Sequence, residues 1–172
     1  MAFDRKAYFI DALKQHYQET IASARKAEVD AAKAADEIRK QARNKDDAKA
    51  AVEPGRMAGS HEKRRHRAVE ELEALIQFAA GGVRVYAPDA KIGLGAMIDV
   101  SIETDDGSEE RTLFMLPVGA GTELSGPGGD GFLSVIGPKS PVGMALMGAC
   151  AGDEVEVIVA GRDREWSIVD VC

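Results

Sequence analysis

The chain has 172 residues, 45% of them hydrophobic, which is the composition of a folded protein with room for one ordinary domain or two small ones. Only 5% are aromatic, and the formal net charge of −7 divides unevenly: residues 1–80 carry 16 Lys and Arg against 14 Asp and Glu, while residues 81–172 carry 6 against 15. That balance excludes a nucleic-acid role for the acidic half, the two cysteines (Cys150 and Cys172) lack a metal-binding spacing and read as reduced thiols, and the charge-interrupted start MAFDRKAYFIDALKQ suits neither a secretory signal nor a membrane span.

From Asp4 to Gln41 there is no Pro or Gly, and small or apolar residues recur at alternating spacings of three and four: Ile10, Leu13, Tyr17, Thr20, Ala24, Ala27, Ala31, Ala34 and Ile38. This is the seam of a coiled coil, kept thin by alanine. A helix of that extent is about 57 Å long, too long to be buried inside so small a protein. A second helical pattern runs from about Met57 to Ala80, with Ala68, Leu72, Leu75 and Ala79 on its seam, and Gly81-Gly82 ends it. Pro54-Gly55 is expected to interrupt any helix between the two. The economical arrangement is an antiparallel helical hairpin over residues 1–80 with its tip at about 44–55; whether 48–53 belongs to the turn or starts the returning helix stays open.

Beyond Gly82 the period becomes two. AMIDVSIET (96–104) and RTLFMLPV (111–118) alternate around Asp105-Asp106-Gly107, a hairpin signal. The loop SGPGGDG (125–131) leads to FLSVIG (132–137), a short helix over 141–148, DEVEVIV (153–159), a turn at Gly161 and REWSIVDV (164–171). Five strands and one short helix predict an α+β domain over 83–172 with an antiparallel sheet. Ser140 and Pro141 suit the N-cap and first turn of the helix, whose Val142, Ala145 and Leu146 then face the sheet. Val155 and Val157 point inward and Glu154 and Glu156 outward.

The run SPVGMALMG followed by AGDEVEV, with the final strand REWSIVDV, resembles the C-terminal signature of the Gre-type bacterial transcript cleavage factors, GreA/GreB-like, over roughly residues 92–171. That family joins an N-terminal antiparallel coiled coil to an FKBP-like globular domain. The resemblance implies a cytoplasmic, monomeric accessory factor of bacterial RNA polymerase, not an enzyme by itself, whose coiled coil enters the secondary channel. There its tip acids help hold a Mg2+ shared with the polymerase active site, and backtracked transcripts are cleaved. It implies no membrane and no small-molecule substrate. Aligned on Asp47, the tip offers Asp47 and Glu53 where the family has acids, with Ala50-Ala51 in place of a Glu-Asn pair, and Asp46 as a neighbouring carboxylate. Asp46, Asp47 and Glu53 are therefore the candidate Mg2+-positioning residues, with hard oxygen donors suited to that cation. A plain turn would use the same acids for solubility and capping. A secondary-channel regulator or inhibitor without cleavage stimulation is the alternative function.

Lys63, Arg64, Arg65 and Arg67 form a basic run on the returning helix, suited to the RNA 3′ end or the polymerase, or to a solvated face. Pro138, Lys139, Ser140, Pro141 and Met144 are the expected contact with the polymerase rim. His61 and His66 are five apart and do not match a zinc-protease pair, which requires four. SGPGGDG lacks the Gly-Lys-Ser/Thr ending of a phosphate loop, and GLG at 93–95 is too little for a dinucleotide fingerprint. A prolyl isomerase of FKBP-like fold would draw on Phe114, Phe132 and Trp166, a poor supply of rings, and a coiled-coil adaptor is the remaining class.

Overall fold

A computed structural model of the chain describes residues 4–172 apart from 88, 105, 106, 130 and 160. It divides into two compact units, residues 14–73 and residues 1–13 together with 74–172.

The first unit is helical. Helix α1 spans Arg5–Gln41, opened by Asp4, whose Oδ1 accepts the Ala7 N–H at 3.1 Å. A single-turn helix, α2 (Lys45–Lys49), precedes α3 (Val52–Ala80). Tyr17 lies by Glu71, Glu28 bonds Arg65 and Arg39 approaches Gly55. Residue numbers fall along α3 as they rise along α1, so the helices are antiparallel. Within this unit Tyr17, Ala24 and Ala68 are buried as the seam predicts. At the far end the seam rotates by one residue, so that Ala35 is buried and Ala34 only half-buried.

The expected break at Pro54-Gly55 does not occur. Both residues lie in the first turn of α3. Amides in a first turn have no intrahelical acceptor, so the N–H that proline lacks is not missed there. Gly55 resumes the helical pattern by donating to the Ala51 carbonyl at 3.1 Å.

The second unit holds a six-stranded sheet: β1 (Met97–Thr104), β2 (Gly107–Met115), β3 (Glu123–Ser125), β4 (Phe132–Ile136), β5 (Glu154–Val159) and β6 (Arg162–Val171), in the order β3-β4-β2-β1-β6-β5. The α+β class is as expected, and the sheet differs from the expectation in two details. Strand β3 is an additional edge strand, and β2 and β4 run parallel, so the sheet is mixed. The turn residues Asp105 and Asp106 lie outside the described residues, but β1 and β2 pair antiparallel down to Thr104 and Gly107.

One sheet face carries the main core: Ile98, Val100 and Ile102 of β1, Leu113 and Met115 of β2, Val157 of β5, and Trp166 and Ile168 of β6. Helix α4 (Pro141–Leu146) closes it, with Leu146 fully buried and Val142 and Ala145 packed at its margin. Each large apolar side chain so buried contributes about 1.5–3 kcal/mol. The opposite face is buried where Met97, Phe114 and Val135 stand in register, and becomes acidic toward β5, where Glu156 pairs with Glu165.

Candidate functional site at the hairpin tip

The turn between α1 and α3 is built by local capping. Asn44 has extended backbone (φ −147°, ψ 176°), and its side-chain oxygen accepts the N–H groups of Asp46 at 2.9 Å and Asp47 at 2.8 Å. Asp47 Oδ2 in turn accepts the Arg43 N–H at 3.2 Å. This reciprocal arrangement is a variant of the capping box, shifted by one residue at its outer end. The turn closes as Ala50 N–H bonds the Asp47 carbonyl and Ala51 N–H the Ala48 carbonyl, and Ala51 is buried.

All three candidate acids are exposed. Asp46 and Asp47 stand side by side on α2, and Glu53 lies one turn on, in the first turn of α3. Each is engaged by the chain itself: Asp46 with Lys49 at 2.6 Å, Asp47 with the Arg43 amide, and Glu53 with Arg56 Nη2 through both oxygens, at 3.0 and 2.8 Å. Exposed pairs of this kind contribute only about 0–1 kcal/mol each, so they yield readily to a stronger partner. Including Arg43 and Lys45, the tip has four cations and three anions.

No three His, Cys, Asp or Glu side chains among the described residues converge closely enough to hold a metal. Mg2+ is commonly held by one or two carboxylates, with the remaining ligands from water and substrate. Asp46 and Asp47 have the donor type and exposure that such a partial role needs.

The side chains of the basic run do not all face the same way. Arg65 turns toward the facing helix, where its Nε bonds Glu28 at 2.8 Å, both side chains being about a quarter exposed. That hydrogen bond holds the Glu28 carboxyl below the ordinary carboxylate range. Arg67 pairs with Glu71 on its own helix at 3.0 Å, and Lys63, Arg64 and Arg67 are all exposed. The Tyr17 hydroxyl is buried near the same Glu71 and makes no well-formed hydrogen bond among the described residues; burial, then the nearby carboxylate, push it above the ordinary phenol range.

In the sheet unit, Ser140 caps α4: its Oγ accepts the Gly143 N–H at 3.0 Å and donates to the Gly137 carbonyl at 2.8 Å. Lys139, Pro141 and Met144 are exposed around this cap, and Pro138 and Ser140 are half-buried. Asn44 is the tip residue that the sequence reading passed over. Its signal was there, an Asn directly before Lys-Asp-Asp, the pattern of an N-cap followed by first-turn acids.

The fold and site define an α+β protein with a polar helical hairpin and a mixed-sheet unit, carrying acids at the hairpin's turn. Residues 87–172, half of the chain, match the family model described as transcription elongation factor, GreA/GreB, C-terminal. The chain belongs to the GreA/GreB family. Among solved structures it is similar to the GreA factor homolog 1 (Gfh1) of Thermus thermophilus, at 18% identity over 94% of this chain and 95% of that one, with a TM-score of 0.37. It is also similar to Gfh1 of Thermus aquaticus (17% identity, 94% of each chain, TM-score 0.35) and to a GreA/GreB factor of Nitrosomonas europaea (20% identity, 59% of this chain and 91% of that one, TM-score 0.33). Comparison with curated proteins returns no match. Among the described residues no helix is long and apolar enough to cross a membrane.

Proposed function

We propose that the protein is a cytoplasmic RNA polymerase-binding elongation factor. In this reading its helical hairpin enters the polymerase secondary channel and offers Asp46, Asp47 and Glu53 to a Mg2+ shared with the polymerase, stimulating cleavage of backtracked transcripts. The observation that carries the reading is that the turn joining α1 to α3 presents three solvent-facing carboxylates on short helical turns, in a chain of the GreA/GreB family. That Mg2+, once bound, would supply an activated water and neutralise developing charge. The chain's own part is to place oxygen donors. Pro138, Lys139, Ser140, Pro141 and Met144 are the proposed rim contact, and Lys63, Arg64 and Arg67, the exposed members of the basic run, the proposed contact with the RNA 3′ end or the polymerase.

A second reading is favoured by one specific observation: every tip acid already has a partner within the chain, and the tip as a whole has more cations than anions. On that reading the hairpin occupies the channel and restrains transcription without promoting cleavage.

Stalled, backtracked complexes distinguish the two. If the acids position Mg2+, adding the protein shortens the RNA faster, and Asp47→Ala or Glu53→Ala abolishes the gain. Slower nucleotide addition with no shortening supports the occupant reading. Failure to co-elute with core polymerase overturns both.

A further inference from the structure

We infer that Asn44 is the positioning residue of the tip, setting the orientation from which Asp46 and Asp47 act; the inference rests on the function proposed above. Helix α2 has five residues, so each of its amides belongs to a terminal turn, and a helix that short does not hold together by propensity. One side chain supplies what the ladder lacks. The Asn44 amide oxygen takes the N–H groups of both Asp46 and Asp47, the residues whose carboxylates the function requires.

This division of labour matters chemically. Aspartates in or before a first turn readily bend back to cap backbone N–H groups themselves, which would occupy their oxygens. Here a neutral amide takes the cap. Asp46 bonds no backbone donor among the described residues, only the flexible Lys49, and Asp47 uses one oxygen, Oδ2, on the Arg43 amide. Among the described residues the second oxygen of each carboxylate makes no hydrogen bond, and it remains for a ligand. The cap also fixes the peptide planes of residues 46 and 47, and hence the directions of their Cα–Cβ bonds. Asn44 touches neither metal nor RNA in this scheme; it acts through its two neighbours.

The test compares the full-length chain with its Asn44→Ala and Asn44→Ser variants; serine restores a neutral cap of similar rank. In Asn44→Ala, amide exchange at Asp46 and Asp47 is expected to quicken about fivefold, and the effect on backtracked complexes, whether shortening or restraint, to fall by a similar factor. Polymerase affinity should stay within about twofold, because a cap at the tip leaves the sheet unit unchanged. Asn44→Ser should recover both exchange protection and effect. An Asn44→Ala chain with wild-type exchange or wild-type effect overturns the inference, as does an Asn44→Ser chain that regains protection without regaining the effect. A wild-type chain that binds polymerase and neither shortens nor slows overturns the functional reading, and this inference with it.

Discussion

Gly143 stands directly against the Gly137 carbonyl: a Cβ on residue 143 would overlap that oxygen and crowd the Ser140 hydroxyl. The contact is backbone on backbone, so no side-chain rotation relieves it. Gly143→Ala is expected to cost about 2–3 kcal/mol, as overpacking does, measured by urea unfolding. Gly59, in the interior of α3, provides the opposite case, since nothing lies within 4 Å of a Cβ there. Gly59→Ala should stabilise the helix by about 0.5–1 kcal/mol, because glycine in a helix loses more chain entropy than alanine.

Leu13 is fully buried and falls in the same compact unit as residues 74–172, although it lies far from them in sequence. Leu13→Ala should therefore destabilise the unit that contains the sheet, by about 2–5 kcal/mol. Near-ultraviolet circular dichroism of Trp166 reports that unit, and its melting should move to lower temperature.

The ion pair between Glu28 and Arg65 gives the hairpin an acid limit. Arg65 holds the Glu28 carboxyl below its unfolded value. Between the two values the unfolded chain binds more protons, so stability from this pair is fully present above the unfolded carboxylate pKa. It is lost as pH falls through the folded one. Glu28→Gln is expected to lower the helical melting temperature at neutral pH by about 2 °C and to flatten its decline on acidification, followed by far-ultraviolet circular dichroism.

Glu165 works in the other direction. Its hydrogen bond and charge interaction with Glu154, followed by partial desolvation and the charges of Glu103 and Glu156, raise its pKa above the unfolded value. The folded chain then binds the extra proton, so this contribution is complete below the unfolded carboxylate pKa and disappears as pH rises through the folded one. Glu165→Gln removes the like-charge contact with Glu154 and, more weakly, with its cross-strand partner Glu156. The variant should melt about 1–2 °C higher than wild type at pH 7 and by a smaller margin at pH 4.

Lys49 and Arg56 compete with any cation for Asp46 and Glu53. Replacing both with alanine leaves two cations against three anions at the tip. If the acids work through Mg2+, the Lys49→Ala/Arg56→Ala chain should reach half-maximal shortening at about two- to fivefold lower Mg2+ concentration, because two positive charges no longer oppose the metal locally. Titration of Mg2+ against backtracked complexes reads this directly.

The helices were legible because their seams repeat over many turns: Tyr17, Ala24 and Ala68 were named from spacing alone and are buried. The same periodicity cannot place a single residue far along a seam, which is why Ala35 replaces Ala34. Pro54-Gly55 misled because the meaning of proline depends on position, and the start of α3 had to be known before a first-turn proline could be told from a breaker. Strand β3 is three residues long, below the length at which alternation is detectable. The parallel pairing of β2 with β4 depends on a connection whose path no local pattern encodes. At the tip the acids were evident from sequence and their partners were not, since Lys49, Arg56 and the Arg43 amide engage them only once the turn has formed.

The sheet's two borders have a consequence for the protein at high concentration. One border is a strand of only three residues, and the other is six residues long, with Glu154 and Glu156 outward before the exposed Ile158. Neither presents the long, flat, apolar row of open amides on which one molecule templates the next into fibrils. Short length at one margin and outward glutamates at the other thereby oppose self-templated aggregation along the sheet's edges.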